Sequence, residues 1–188
     1  MDPGGSPRRE RRRRWPVVAG AVLAAVVVAL LLRSPAGSPQ RRPAAASLAA
    51  PVVAPGRVGG LLPDVTLRGR VRTANARELR PAVVMLVAPG CDCVEAVRHV
   101  VREAAAYRLV TYLVETGDSP AGTEILAARA GGDVGPYADP AGALAAAYGL
   151  RTDAALVLVR ADGVVTQTVA AVGPALRLGT ALAALVSA

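Results

Sequence analysis

Residues 81–106 read PAVVMLVAPGCDCVEAVRHVVREAAA. The first eight carry no charge and lie between Pro81 and Pro89-Gly90, the pattern of a strand covered on both faces rather than one alternating between core and water. After Cys91 the periodicity changes. Val94, Val97, Val101 and Ala104-Ala105 recur at three to four residues, with Glu95, Arg98, Arg102 and Glu103 between them, so an amphipathic helix runs to about Ala106. A second apolar strand, Leu109 to Val114, and a helix from Ala121 to Ala130 follow. This alternation predicts parallel pairing through right-handed crossovers.

The last third has a different signature. Asp139-Pro140 opens a short Ala-rich helix to Tyr148, and AALVLVR and VVTQTVA then flank Ala161-Asp162-Gly163, whose Asp-Gly step marks an antiparallel hairpin. Pro174 can start a closing helix to about Val186 with Leu178, Leu182 and Leu185 on one face. Upstream, Pro63 to Leu67 is a short β-prone segment ending at the turn signal Arg68-Gly69. With the weaker elements set aside, the order is β-α-β-α-β-β-α: an α/β domain over residues 61–188 with a mixed central sheet flanked by helices.

Ahead of this domain, RRERRRRW leads into a charge-free run from Trp15 to Leu32. As a helix, those 18 residues would span roughly 27 Å, close to the thickness of a hydrocarbon core. The run is longer than a secretory h-region, and the nearest small-residue cluster, Ala44 to Ala46, lies well past Arg33, so an uncleaved membrane anchor is expected rather than a cleaved signal. The Arg excess before the run keeps residues 1–14 cytoplasmic and places the domain outside. Residues 33–60, SPAGSPQRRPAAASLAAPVVAPGRVGG in large part, have no apolar period and are rich in Pro and Gly, as in a flexible linker.

Charge distribution narrows the partners. The net charge of +8 sits wholly in residues 1–58, which hold ten Arg and two acids; residues 59–188 hold twelve of each sign. The domain is electrically balanced, and no aromatic residues interleave with basic ones, so no nucleic-acid partner is expected. The basic tail suits anionic lipid headgroups. No paired carboxylates, Ser-His pair or phosphate-binding loop is present, and Gly59-Gly60 and Gly131-Gly132 lack the flanking pattern of such a loop.

The chemistry concentrates at Cys91 and Cys93, the only two Cys of the chain, between the most buried strand and its helix. Unpaired N–H groups and the positive end of a helix dipole favour a thiolate there, while the carboxylate of Asp92 opposes a second anion. A disulfide across one residue is sterically possible. The pair is therefore a candidate for dithiol-disulfide catalysis. Three other readings stay open: an inert structural bridge, two buried small hydrophobes, and a soft two-sulfur site for Cu(I). His99 lies six residues beyond Cys93, about 240 degrees around a helix, and is expected as a solvated helix residue rather than a partner of the pair.

Four phrases in order, PDVTL, VVMLVAPGCDCVEAV, ADPAGALAAAYGLR and ALVLVRADGVV, resemble the thioredoxin-like superfamily and within it the membrane-anchored TlpA/ResA-type thiol-disulfide oxidoreductases. The resemblance covers about residues 61–188. It implies a thioredoxin fold, an N-terminal anchor, no cofactor, and dithiol-disulfide exchange with extracytoplasmic protein thiols or disulfides, with Cys91 attacking and Cys93 resolving. The chain departs from the family in having C-x-C where C-x-x-C is usual, Gly90 in place of the usual Trp, and Ala154 at the position normally held by a cis-Pro. These departures support the alternative of a redox-inactive module that binds a partner protein or carries Cu(I).

Overall fold

A computed structural model describes residues 43–150 and 153–187. The expected tail 1–14 and membrane span 15–32 lie outside the described residues, among which no helix is long and apolar enough to cross a membrane. Strand β3, Ala82–Val87, is an interior strand of a seven-stranded mixed sheet. Val83, Met85 and Val87 point into one hydrophobic cluster, and Val84 and Leu86 into a second on the opposite face. All six residues of the strand are buried, so the unbroken apolar run reflects two covered faces.

Around β3 the sheet runs β2-β1-β5-β4-β3-β6-β7, where β1 is Thr66–Arg68, β2 Thr73–Asn75, β4 Val110–Thr116, β5 Val134–Asp139, β6 Ala154–Val159 and β7 Val165–Val169. β3 pairs parallel with β4, and β4 with β5, whereas β6 lies antiparallel to β3 and β7 antiparallel to β6. Helices α1 (Val94–Ala106), α2 (Ala121–Ala130) and α4 (Gly179–Val186) contribute to the cluster on the Met85 face, and α3 (Ala143–Tyr148) supplies Leu144 to the other. The expected mixed sheet between helices is present, and Leu178, Leu182 and Leu185 are all buried.

The structure corrects the sequence reading in several places. β5, with Gly and Pro in its sequence VGPYAD, is a strand beyond those expected. It tolerates Pro136 since β1 reaches β5 only at Arg68↔Ala138, leaving the earlier residues at an open edge where a missing N–H breaks no ladder bond. The closing helix begins at Gly179, not Pro174. A turn bond from the Leu176 N–H to the Gly173 carbonyl (3.1 Å) and capture of the Leu176 carbonyl by the His99 ring (2.6 Å) hold residues 173–178 out of helical geometry. His99 itself is buried, 8% exposed, rather than solvated.

Residues 43–60, read as the outer part of a linker, lie along the domain instead. The N–H groups of Ala46 and Ala49 donate to the carbonyls of Ala161 and Asp162 (3.0 and 2.9 Å), and Gly59 and Gly60 exchange bonds with Val165 (2.8 Å each). Arg80 clamps the segment by donating to the carbonyls of Ala46 and Ala161. Gly60 allows the close approach, since a Cβ there would collide with the Ala54 carbonyl. These bonds give Pro- and Gly-rich chain the backbone partners that its lack of periodic structure denies it.

Candidate functional site

The site forms where β3 ends. Pro89 and Gly90 occupy the middle of a tight turn in which the Cys91 N–H donates to the Ala88 carbonyl (3.2 Å). Gly90 has φ +71°. A turn with Pro second and a positive-φ residue third is type II, which favours Gly at that point. The turn reverses the chain so that Cys91 stands at the C-terminal edge of the sheet and Cys93 becomes the N-cap of α1. The Cys93 carbonyl then accepts the first helical bond, from the Val97 N–H (2.9 Å).

Cys91 and Cys93 are joined as a disulfide with Cα atoms 5.3 Å apart. Their environments differ. Cys91 is half-buried and Asp92 exposed, whereas Cys93 is 6% exposed and belongs to the cluster that holds Val87, Val97 and Ala154. Ala154 starts β6 directly opposite Val87, and the preceding carbonyl, of Asp153, accepts from the Ala88 N–H (2.8 Å). The residue occupying the usual cis-Pro position therefore shares the hydrophobic environment of the buried sulfur. The described structure has a cis peptide at Arg80-Pro81, at the opposite end of β3.

Around the pair, charges come from two helices. Glu95 and Arg98 pair on α1, and the Arg98 guanidinium also donates to the Arg129 carbonyl in the last turn of α2 (3.1 Å). Glu95 and Arg98 were legible as helix-surface charges. Arg129 was not, because a contact across two helices leaves no local spacing in the sequence. His99 does not join the pair, and its Nε2 donates to the Leu176 carbonyl. Among the described residues no group of three or more His, Cys, Asp or Glu side chains is placed to hold a metal ion.

No protein-family model and no curated protein sequence matches this chain. Solved structures do. A protein from Bacteroides thetaiotaomicron described as a disulfide isomerase aligns with a TM-score of 0.52 at 19% identity, over 76% of this chain and 96% of its own. A thiol:disulfide interchange protein from a Bacteroides species aligns at 0.51 and 13% identity, over 70% and 91%. A thioredoxin-like protein from Porphyromonas gingivalis aligns at 0.50 and 17%, over 67% and 92%.

The fold is thioredoxin-like. In this thioredoxin-like domain the parallel β3-β4-β5 half and the antiparallel β3-β6-β7 half meet at β3. The loop after β3 thus emerges where the sheet changes from parallel to antiparallel pairing. Cys91 packs against the rim of the cluster under α1 and stays half-buried, while Cys93 lies within that cluster, so the two residues of the bridge are unequally exposed.

Proposed function

We propose that this chain is a membrane-anchored thiol-disulfide exchange protein whose thioredoxin-like domain works outside the cytoplasm on protein thiols or disulfides. The observation that carries the reading is the unequal exposure of the bonded pair, Cys91 half-buried and Cys93 6% exposed. In the reduced form the Cys91 thiolate attacks a partner's disulfide. A Cys91–partner bond forms, and the partner's second sulfur leaves as a thiolate. Cys93 then attacks the Cys91 sulfur, closing the protein disulfide and releasing the partner's remaining thiolate, so two electrons pass to the partner. The reverse sequence starts from the disulfide form. An incoming thiolate attacks Cys91, and the electron pair leaves on Cys93, where the N-terminus of α1 stabilises it.

The solved neighbours described as interchange and isomerase proteins support this chemistry by analogy of fold. The anchor and the outward orientation rest on the apolar run Trp15 to Leu32 and the Arg-rich residues before it.

The test is a redox titration of the full chain in detergent, trapping free thiols by mass-shift alkylation across glutathione and dithiothreitol poises. A reversible two-electron transition between about -270 and -120 mV is expected of an exchange catalyst. A bridge that survives strong reductant marks the pair as structural. Thiols that stay reduced at every poise favour a partner- or copper-binding module. Carbonate-resistant sedimentation with membranes, lost on removal of residues 1–42, checks the anchor.

A further inference from the structure

An open cavity of about 480 Å³ is lined by Asp92, the residue between the two Cys, together with Val94, Glu95, Arg98 and Arg129. Its walls come from the Cys loop, the first turns of α1 and the end of α2, held together by the bond from Arg98 to the Arg129 carbonyl. Glu95 and Arg98 neutralise each other. That leaves one carboxylate, Asp92, and one guanidinium, Arg129, without an ion-pair or hydrogen-bond partner for their side chains among the described residues. A site with one unspent charge of each sign, whose carboxylate belongs to the residue between half-buried Cys91 and Cys93, complements a molecule that carries both signs and a thiol.

We propose that this cavity seats a small thiol bearing both a carboxylate and an ammonium group, Arg129 taking the carboxylate and Asp92 the ammonium, and that such a thiol reduces the Cys91–Cys93 bond. The inference rests on the exchange activity proposed above and names its electron donor. The bound thiolate attacks the Cys91 sulfur, forming a mixed disulfide as the Cys91–Cys93 bond breaks and the electron pair passes to Cys93. A second thiolate of the same kind then attacks the small-molecule sulfur of that mixed disulfide and releases Cys91. Two thiols become one small disulfide, and their two protons end on Cys91 and Cys93.

The experiment measures the rate at which four thiols reduce the oxidised full chain: cysteine with both charges, cysteamine with the ammonium alone, N-acetylcysteine with the carboxylate alone, and N-acetylcysteinamide with neither. Each rate is divided by thiolate concentration and by that thiol's rate on a small reference disulfide, which removes intrinsic reactivity. Partly exposed ion pairs change such rates about two- to fivefold each, so cysteine should exceed N-acetylcysteinamide by about four- to twenty-five-fold at low salt, with the excess shrinking in high salt. Arg129→Ala should erase the advantage of the carboxylate, and Asp92→Asn that of the ammonium. Equal normalised rates for all four thiols, or a cysteine preference that survives both substitutions, would overturn the proposal while leaving exchange through the pair standing. Failure of every thiol to reduce the bond removes the exchange reading along with it.

Discussion

Cys93 closes a disulfide with Cys91 while also capping helix α1, so one residue is both half of the bridge and the start of the helix. The two sulfurs cannot be equivalent under that constraint. The capping position is enclosed by Val97 and Ala154, whereas the residue two positions earlier stands at the end of a tight turn.

This asymmetry sets the first expectation. Cys93→Ser should leave Cys91 able to attack but unable to be released, so mixed disulfides with partner thiols accumulate and resist dilution. Cys91→Ser should form none and lose turnover, with the domain still folded. Non-reducing electrophoresis with mass identification of the adducts reads the difference, and adducts confined to Cys91→Ser would reverse the two roles.

Met85 is fully buried at the centre of β3, paired with Leu113 on one side and Leu156 on the other. Met85→Ala removes methylene and sulfur contacts that surrounding strands cannot collapse to replace, at an expected loss of about 2–5 kcal/mol. A urea unfolding midpoint that hardly moves would show that the two-sided core is less closely packed than the structure indicates.

Asp162 is held in the β6–β7 turn by the Arg160 side chain, which donates to its carboxylate (3.1 Å from Nε), and by the Val164 N–H (3.1 Å). The Arg160 bonds keep the Asp162 carboxyl below the ordinary range. A carboxyl depressed on folding contributes stability that is present above its unfolded pKa, about 4, and is lost as pH falls through the lower folded value. The pair is partly open to water, with side chains 35% and 25% exposed. Asp162→Asn should therefore cost only about 0.5–1 kcal/mol at pH 7. That cost should shrink as pH falls below about 4, and a urea series giving the same difference at about pH 7 and in strong acid would contradict the assignment.

Arg80 ties residues 46–49 to the turn at Ala161. Arg80→Ala removes charge-assisted bonds while leaving the core untouched, so amide protection at Ala46 and Ala49 should fall about tenfold, equivalent to roughly 1.4 kcal/mol, against unchanged protection in β3. Hydrogen exchange resolved to single residues measures this. Equal protection in the variant would mean that the backbone bonds to Ala161 and Asp162 suffice by themselves.

Much of the architecture was legible because local chemistry dictated it. Helix Ala121–Ala130 has the bounds that its composition suggested. The run from Ala82 to Val87 could satisfy its apolar side chains only with cover on both faces, and Asp162-Gly163 could only turn. Cys91 and Cys93 stood out for the same reason, since a strand-to-helix junction is defined by neighbours in sequence.

What escaped depended on segments distant in the chain. The sequence by itself determined which stretches must be buried, where the chain must turn and which two atoms could exchange electrons, since burial period, turn conformation and thiol chemistry are properties of adjacent residues. Only the tertiary structure decided what covers what: the Leu176 carbonyl over His99, residues 46–60 against Ala161 and Val165, Pro136 at an open edge of β5, and Arg129 beside Asp92. Those arrangements follow from filling the remaining surface and pairing the remaining backbone groups of a folded domain, conditions set by the whole chain at once.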